Sequence, residues 1–300
     1  MTRLLLVLVA AALAVPALAA AFPNQEPLAA KQWYLDEDNA WSFWQAQPDL
    51  GPVKVAVIDS GIDGSHPDLT GRVVAAKSFV GGSPYTDEQG HGTFVAGEIA
   101  ANPSNMAGIA GLAFNARLLV AKVVTASGDV SLPAEVAAIR WAVAQGARVI
   151  NLSLGSTRDP SDPSVDGFSL VEQSAIEYAV RHGALIVAAA GNGNDAPQKP
   201  WPFASYPAAF PHVLGVGAYG RLGGVPSFSN RDDRLVDLAA PGMDIFSLFP
   251  RPLTAAFACS DQGYSSCGTK DYRHADGTSF AAPQVSAAAA LLFGESAALR

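Results

Sequence analysis

Val53-Lys54-Val55-Ala56-Val57-Ile58-Asp59-Ser60-Gly61 sets the architecture of this chain. Six residues rich in valine and isoleucine form a short buried strand, and a carboxylate followed by a glycine turn ends it. In an open α/β sheet, the carboxyl ends of such strands are where ligands bind. The same rhythm recurs downstream. Arg72–Val74, Arg117–Val124, Arg148–Leu154, Ala184–Ala190, Val213–Ala218 and Leu235–Ala239 read as further strands. Between them, Leu132, Val136, Ile139 and Val143 keep helical spacing after Ser131 and stop at Gly146. Leu170–His182 is a second helix closed by Gly183. Strands alternating with helices imply a parallel sheet with right-handed crossovers and helices on both faces, an α/β/α architecture of three layers.

Two further stretches open helices with a reactive side chain in a setting of small residues. Gly90-His91-Gly92-Thr93-Phe94-Val95-Ala96-Gly97 begins one. Asp276-Gly277-Thr278-Ser279-Phe280-Ala281-Ala282-Pro283 begins the other, and its apolar run to Phe293 reads as a helix buried on most sides. Serine there is a common helix cap, but the position also lies at the positive end of the helix dipole beside free backbone N–H groups. A serine nucleophile needs a base within reach, and the base needs an acceptor on its other ring nitrogen. Asp59, His91 and Ser279 supply the three residue types at strand ends and helix starts that one sheet edge can bring together. Asn192, after Ala188-Ala189-Ala190-Gly191, adds an amide able to donate to a developing oxyanion, with the Ser279 N–H beside it.

Asp59-Ser-Gly-Ile-Asp, His91-Gly-Thr-Phe-Val-Ala-Gly and Gly277-Thr-Ser279-Phe-Ala-Ala-Pro, in that order with Asn192 between the last two, resemble the signature motifs of the subtilisin-like serine proteases (the subtilases, peptidase family S8). The resemblance runs from about Lys31 onward, and the roles that follow are taken over from that family. It implies a subtilisin-like fold with a central, mostly parallel sheet. It makes Ser279 the nucleophile, His91 the proton carrier, Asp59 its orienting carboxylate and Asn192 an oxyanion donor. Ser153, Leu154 and Gly155 match the segment that pairs with extended substrate, and with Ala189 and Gly191 they would wall the pocket for the residue before the cut. Ser205, just before Tyr206-Pro207, falls near its base. Small walls without charge lead us to expect large apolar residues there.

The family often carries a structural calcium ion, and Asp68, Asn105 and Glu26 fall where side-chain ligands to it are expected; catalysis itself needs no cofactor. The alternative for Asp68 and Asn105 is turn geometry alone. Cys259 and Cys267 lie in the long loop before Asp276, and export would favour a disulfide between them closing a small ring, worth about 2–3 kcal/mol, with a pair of free thiols as the alternative. Phe94 stands where many relatives have histidine and should alter the packing behind His91. The remaining histidines, His66, His182, His212 and His274, lack metal-like spacing and read as turn or surface residues. Asp63 and the aspartates of the Thr157–Phe168 loop read as solvated or turn-forming.

Residues 1–21 carry Arg3, an apolar run from Leu4 to Val15 and small residues at Ala17, Ala19 and Ala21, the pattern of a signal peptide. Residues 22–52, with Trp33, Trp41 and Trp44, read as an arm packed on the core, and nothing in them resembles a long pro-segment. Residues 53–300 form the catalytic domain, which reads as short at its C-terminal end. Half the residues are hydrophobic (49%) and 15% charged, as expected for a soluble globular protein. Loss of Arg3 moves the formal charge from −8 to −9, which argues against nucleic acid or anionic membrane as partner. The expected protein is therefore a secreted, monomeric endopeptidase acting on polypeptide. An inactive subtilisin-like binding module is the alternative. The acid-active carboxyl–serine peptidases, which share Gly-Thr-Ser, fit less well, because they carry glutamate and aspartate where this chain has His91 and Asn192.

Overall fold

The computed structural model describes residues 26–40, 44, 50–194, 196–254 and 271–296. The expected signal peptide, Trp41 and the Cys259–Cys267 pair lie outside the described residues.

Seven parallel strands form the central sheet: β1 (Val53–Asp59), β2 (Val73–Ser78), β3 (Ala116–Lys122), β4 (Val149–Leu152), β5 (Leu185–Ala189), β6 (Val213–Tyr219) and β7 (Leu238–Pro241). Their order is β2-β3-β1-β4-β5-β6-β7, so β1, β4 and β5 are neighbours at the centre. β8 (Ile245–Leu248) and β9 (Tyr272–Ala275) make a separate antiparallel pair. Among the described residues the helices include α1 (Trp33–Glu37), α2 (His91–Ala100), α3 (Leu132–Ala144), α4 (Leu170–Arg181), the short α5 (Arg251–Thr254) and α6 (Thr278–Glu295).

Alternating side chains of the central strands divide the apolar interior in two. Val53, Val55 and Val57 of β1 and Val187 of β5 join one core with Phe94 and Ile99 of α2 and Ala282, Ala287 and Leu291 of α6. Ala56, Ile58, Ile186 and Ala188 join the other, with Ala138 and Ile139 of α3 and Ala175 and Ile176 of α4. Two cores on opposite faces of one sheet produce the three-layer α/β/α fold. The N-terminal arm packs on the α2/α6 core: Tyr34 and Leu35 are fully buried, Trp44 Nε1 donates to Leu112 O at 2.9 Å, and Trp33 Nε1 donates to Asp244 O at 3.1 Å.

Most expected elements lie within a residue or two of their observed bounds, and three differ. β2 runs on to Ser78 because Ala75 to Ser78 pair with β3 despite their weak apolar character. β7 starts at Leu238 instead of Leu235, because Asp232 Oδ1 accepts the N–H groups of Arg234 and Leu235 at 3.1 and 3.2 Å and holds that stretch in a turn. The β8–β9 pair, whose partners are distant in sequence, was not expected from local pattern.

Candidate active site

Asp59 is the last residue of β1, and its carboxylate is buried. Ser60 N donates to Asp59 Oδ1 at 2.7 Å, and His91 Nδ1 lies 2.8 and 2.9 Å from Oδ1 and Oδ2. This contact assigns the proton of the neutral imidazole to Nδ1 and leaves Nε2 as the basic nitrogen. His91 is the first residue of α2, so its ring stands at the helix end nearest β1. The approach requires Gly92: a Cβ there would fall 2.1 Å from Gly61 O and 3.2 Å from Asp59 Oδ1.

A second buried carboxylate, Asp87, fixes this helix start. It accepts from Ser60 Oγ (2.8 Å), Gly90 N (2.8 Å), Thr93 N (2.8 Å) and Thr93 Oγ1 (2.6 Å). Ser60 Oγ in turn accepts from Gly92 N at 2.9 Å. Sequence reasoning passed over Asp87, although an aspartate just ahead of a glycine at a helix start is a capping signal. Burial opposes a charged His91, but the Asp59 charge, the Asp59 hydrogen bond and the Asp87 charge together outweigh it and raise the imidazole above its usual value. Burial likewise pushes Asp87 up, against the hydrogen bonds from Thr93 and Ser60.

Ser279 is the second residue of α6, where backbone N–H groups have no intrahelical acceptor. Its Oγ makes no hydrogen bond among the described residues, while the next side chain, Phe280, lies 5.4 Å from the His91 ring and 4.5 Å from Phe94. Phe94 thus packs behind His91 through Phe280. Asn192 Oδ1 accepts from Thr278 N at 2.9 Å and from Thr278 Oγ1 at 3.0 Å. Gly191 N donates to the same Thr278 Oγ1 at 3.0 Å. These bonds orient the carboxamide and leave Asn192 Nδ2 without an acceptor among the described residues.

Ser279, Asn192, Leu154, Gly155, Ala189 and Ser205 line one cavity of about 160 Å³. Asp59, His91, Ser153, Leu154 and Gly155 line a neighbouring cavity of about 320 Å³. Leu154 and Gly155 therefore line both cavities, and neither makes a backbone hydrogen bond among the described residues. An unpaired edge of this kind is a place for an extended peptide to add as a strand. A cavity of about 400 Å³ on the far side of α6, lined by Leu112, Ala240, Val285 and Leu292, contains none of these groups. Convergent polar chemistry, not size, identifies the site.

Beneath the site, Gln284 of α6 donates through Nε2 to Pro241 O at 2.8 Å and Phe280 O at 2.9 Å, and to Glu98 Oε1 of α2 at 3.3 Å. Glu98 is fully buried, and that burial raises its carboxyl well above the usual range. The neutral acid so favoured joins the helix carrying His91 to the helix carrying Ser279. Nothing in the local pattern of Glu98 pointed to this.

Asp68, Asn105 and Glu26 converge elsewhere. Asp68 Oδ1 accepts from Asn105 Nδ2 at 2.8 Å, and its Oδ2 accepts from Ile109 N at 3.1 Å and from the Tyr272 hydroxyl at 3.2 Å. Glu26 accepts from Met106 N at 2.9 Å, Ala107 N at 3.1 Å and Gly108 N at 3.2 Å. Both carboxylates are buried, and no basic side chain is paired with either among the described residues. Oxygen donors around buried negative charge are the kind that calcium takes.

Two histidines differ from expectation. His66 is fully buried, with Nδ1 accepting from Asp68 N at 3.3 Å and its ring edge-on to Tyr272. His274 sits on β9, 2.7 Å from Asp244, and not on an open turn. Asp63 is turn-forming but buried: it accepts from Ser65 N at 2.9 Å and from Arg251 N at 3.0 Å.

The subtilase family model matches residues 51–299. Over 247 residues the chain is 39% identical to the major intracellular serine protease of Bacillus subtilis (strain 168), covering 80% of this chain and 68% of that protein. It is 35% identical over 272 residues to thermitase of Thermoactinomyces vulgaris, covering 90% and 85%. With subtilisin DY of Bacillus licheniformis the identity is 38% over 245 residues, covering 81% and 77%.

Proposed function

This chain belongs to the subtilase family, and from that premise we propose that it is a serine endopeptidase cutting extended polypeptides through an acyl-enzyme. The observation that carries the reading is the pair of hydrogen-bond-length contacts from His91 Nδ1 to both oxygens of Asp59, next to the cavity that Ser279 and Asn192 share. His91 Nε2 takes the proton as Ser279 Oγ attacks the scissile carbonyl. Asp59 keeps the ring in the required tautomer and stabilises the imidazolium that forms. Asn192 Nδ2 and Ser279 N–H receive the negative oxygen of the tetrahedral intermediate. Collapse expels the amine, which leaves with the proton from His91. Water then repeats the sequence on the ester, with His91 again as base. Leu154 and Gly155 hold the substrate backbone through main-chain bonds, so side-chain tolerance is broad outside the pocket.

Replacing Ser279 by alanine tests this directly. The variant should lose casein hydrolysis and covalent labelling by a fluorophosphonate while keeping its circular dichroism. Hydrolysis at the parental rate by Ser279→Ala protein refutes the assignment.

Calcium and export belong to the same reading. Asp68, Glu26 and Asn105 would hold the ion, which would neutralise two buried carboxylates and tie the N-terminal arm to the 105–109 loop. The signal-like pattern of residues 1–21 supports secretion, although one relative is named an intracellular protease. N-terminal sequencing of protein from the culture medium tests it: a start near residue 20 or 22 agrees with export. Retention of Met1 in the cell pellet overturns it.

A further inference from the structure

We propose that the pocket beside Ser279 selects a carboxamide side chain, glutamine or asparagine, on the residue before the cut, and that Ser205 and Asn230 make the selection. This rests on the peptidase reading above and replaces the expectation of large apolar residues there.

Asn230 lines the cavity that holds Ser279, Ser205 and Gly191 and is itself only 2% exposed. Its main chain is pinned, with N donating to Gly191 O at 3.0 Å. Its side chain is pinned as well: Nδ2 donates to Ala190 O at 3.0 Å and to Ser205 Oγ at 3.2 Å. Those two bonds use both protons of the amide and leave Asn230 Oδ1 buried with no donor. Ser205 Oγ accepts from Asn230, and its own proton has no acceptor among the described residues. One spare acceptor and one spare donor therefore belong to two hydrogen-bonded residues that line the pocket.

Glycines bring the pocket wall against both groups. A Cβ on Gly191 (φ +103°) would lie 2.2 Å from Ser205 Oγ and 2.5 Å from Asn230 Nδ2. One on Gly193 would lie 3.4 Å from Asn230 Oδ1. Buried polar groups are almost always paired, and leaving one dry costs more than an ordinary hydrogen bond contributes. A carboxamide entering the pocket gives an N–H to Asn230 Oδ1 and an oxygen to the Ser205 hydroxyl. Leucine or phenylalanine gives neither. Lysine or glutamate meets no opposite charge among the described residues that line the cavity. Sites that hydrogen-bond a substrate group discriminate strongly against analogues lacking it.

The experiment compares peptide p-nitroanilides of one sequence that differ only in the residue before the cut: glutamine, asparagine, leucine, phenylalanine and lysine. The carboxamide substrates should show kcat/KM about tenfold or more above the leucine and phenylalanine ones. Ser205→Ala and, independently, Asn230→Ala should each shrink that ratio by about tenfold. Fluorophosphonate labelling of every protein accompanies the kinetics. A labelled wild type that prefers phenylalanine or leucine overturns the pocket assignment, as does a labelled Ser205→Ala protein whose ratio is unmoved. A wild type that does not label overturns the peptidase reading itself, and this proposal with it.

Discussion

Ser153 Oγ donates a 2.7 Å hydrogen bond to the carbonyl of Ser279. That carbonyl would ordinarily accept from the N–H four residues on, but residue 283 is proline and has none. Ser153 is itself held by Asn151 Nδ2 at 2.9 Å, and Ser286 Oγ donates to Asn151 Oδ1 at 2.8 Å. The strand end proposed to receive substrate is thus tied to the backbone of the proposed nucleophile. Ser153→Ala should cut kcat by about tenfold and change stability by only about 1 kcal/mol. Steady-state kinetics beside a urea melt would show it, and an unchanged kcat would mean that the bond does not position Ser279.

The proposed mechanism requires neutral His91, and the Asp59 and Asp87 charges raise its pKa. The acid limb of kcat/KM should therefore have its midpoint above 6.5, with activity lost as pH falls through it. Asp87→Asn removes one of the two charges and should move that midpoint down. Asp59→Asn favours the wrong tautomer, and a loss of about 10⁴-fold in kcat is expected from the same change in another serine protease. A limb near pH 3–4 would contradict a histidine base.

In the proposed mechanism Asn192 donates only where charge develops, so Asn192→Ala should lower kcat by about 10²–10³-fold with little effect on KM. An equal rise in KM would indicate that the amide binds the ground state instead.

Calcium bound at Asp68, Asn105 and Glu26 would stabilise the native state by mass action. In Ser279→Ala protein, which cannot digest itself, saturating calcium should raise Tm by about 5–10 °C over EDTA. Asp68→Asn should abolish the difference. No response in the parent would remove calcium from the reading.

Glu135 of α3 and Glu172 of α4 are both buried. Burial raises Glu135 well above the usual range, with the neighbouring Glu172 adding to the rise; burial also raises Glu172, to about 7. Raised carboxyl pKa values mean that the stability available below about 4.5 is lost as pH climbs through about 7. Glu172→Gln should hence raise stability at pH 8 by about 1–3 kcal/mol and leave it unchanged at pH 4. Calorimetry at the two pH values checks the sign.

Central strands and long helices were legible because Val55, Val57, Ile58 and Ile186 declare burial whatever their neighbours do. Asp59, His91, Asn192 and Ser279 stood out because each breaks a run of small or apolar residues at a strand or helix end. Glu98 and Asn230 were not legible. Each acquires its role from partners remote in sequence, such as Gln284 for Glu98 or Ser205 for Asn230, and no local pattern encodes such a pairing. The burial of His66 was missed for the same reason, since β9 supplies the Tyr272 ring against it.

The order Asp59, His91, Ser279 has a consequence for the chain during synthesis. α6 packs against β1, β4, β5, β6 and β7, so its docking depends on a sheet whose strands all precede it. A ribosome-bound chain holding β1 and α2 has the acid and base but no nucleophile, and is chemically inert. The proposed hydrolytic site is therefore complete only once α6 has closed onto the finished sheet.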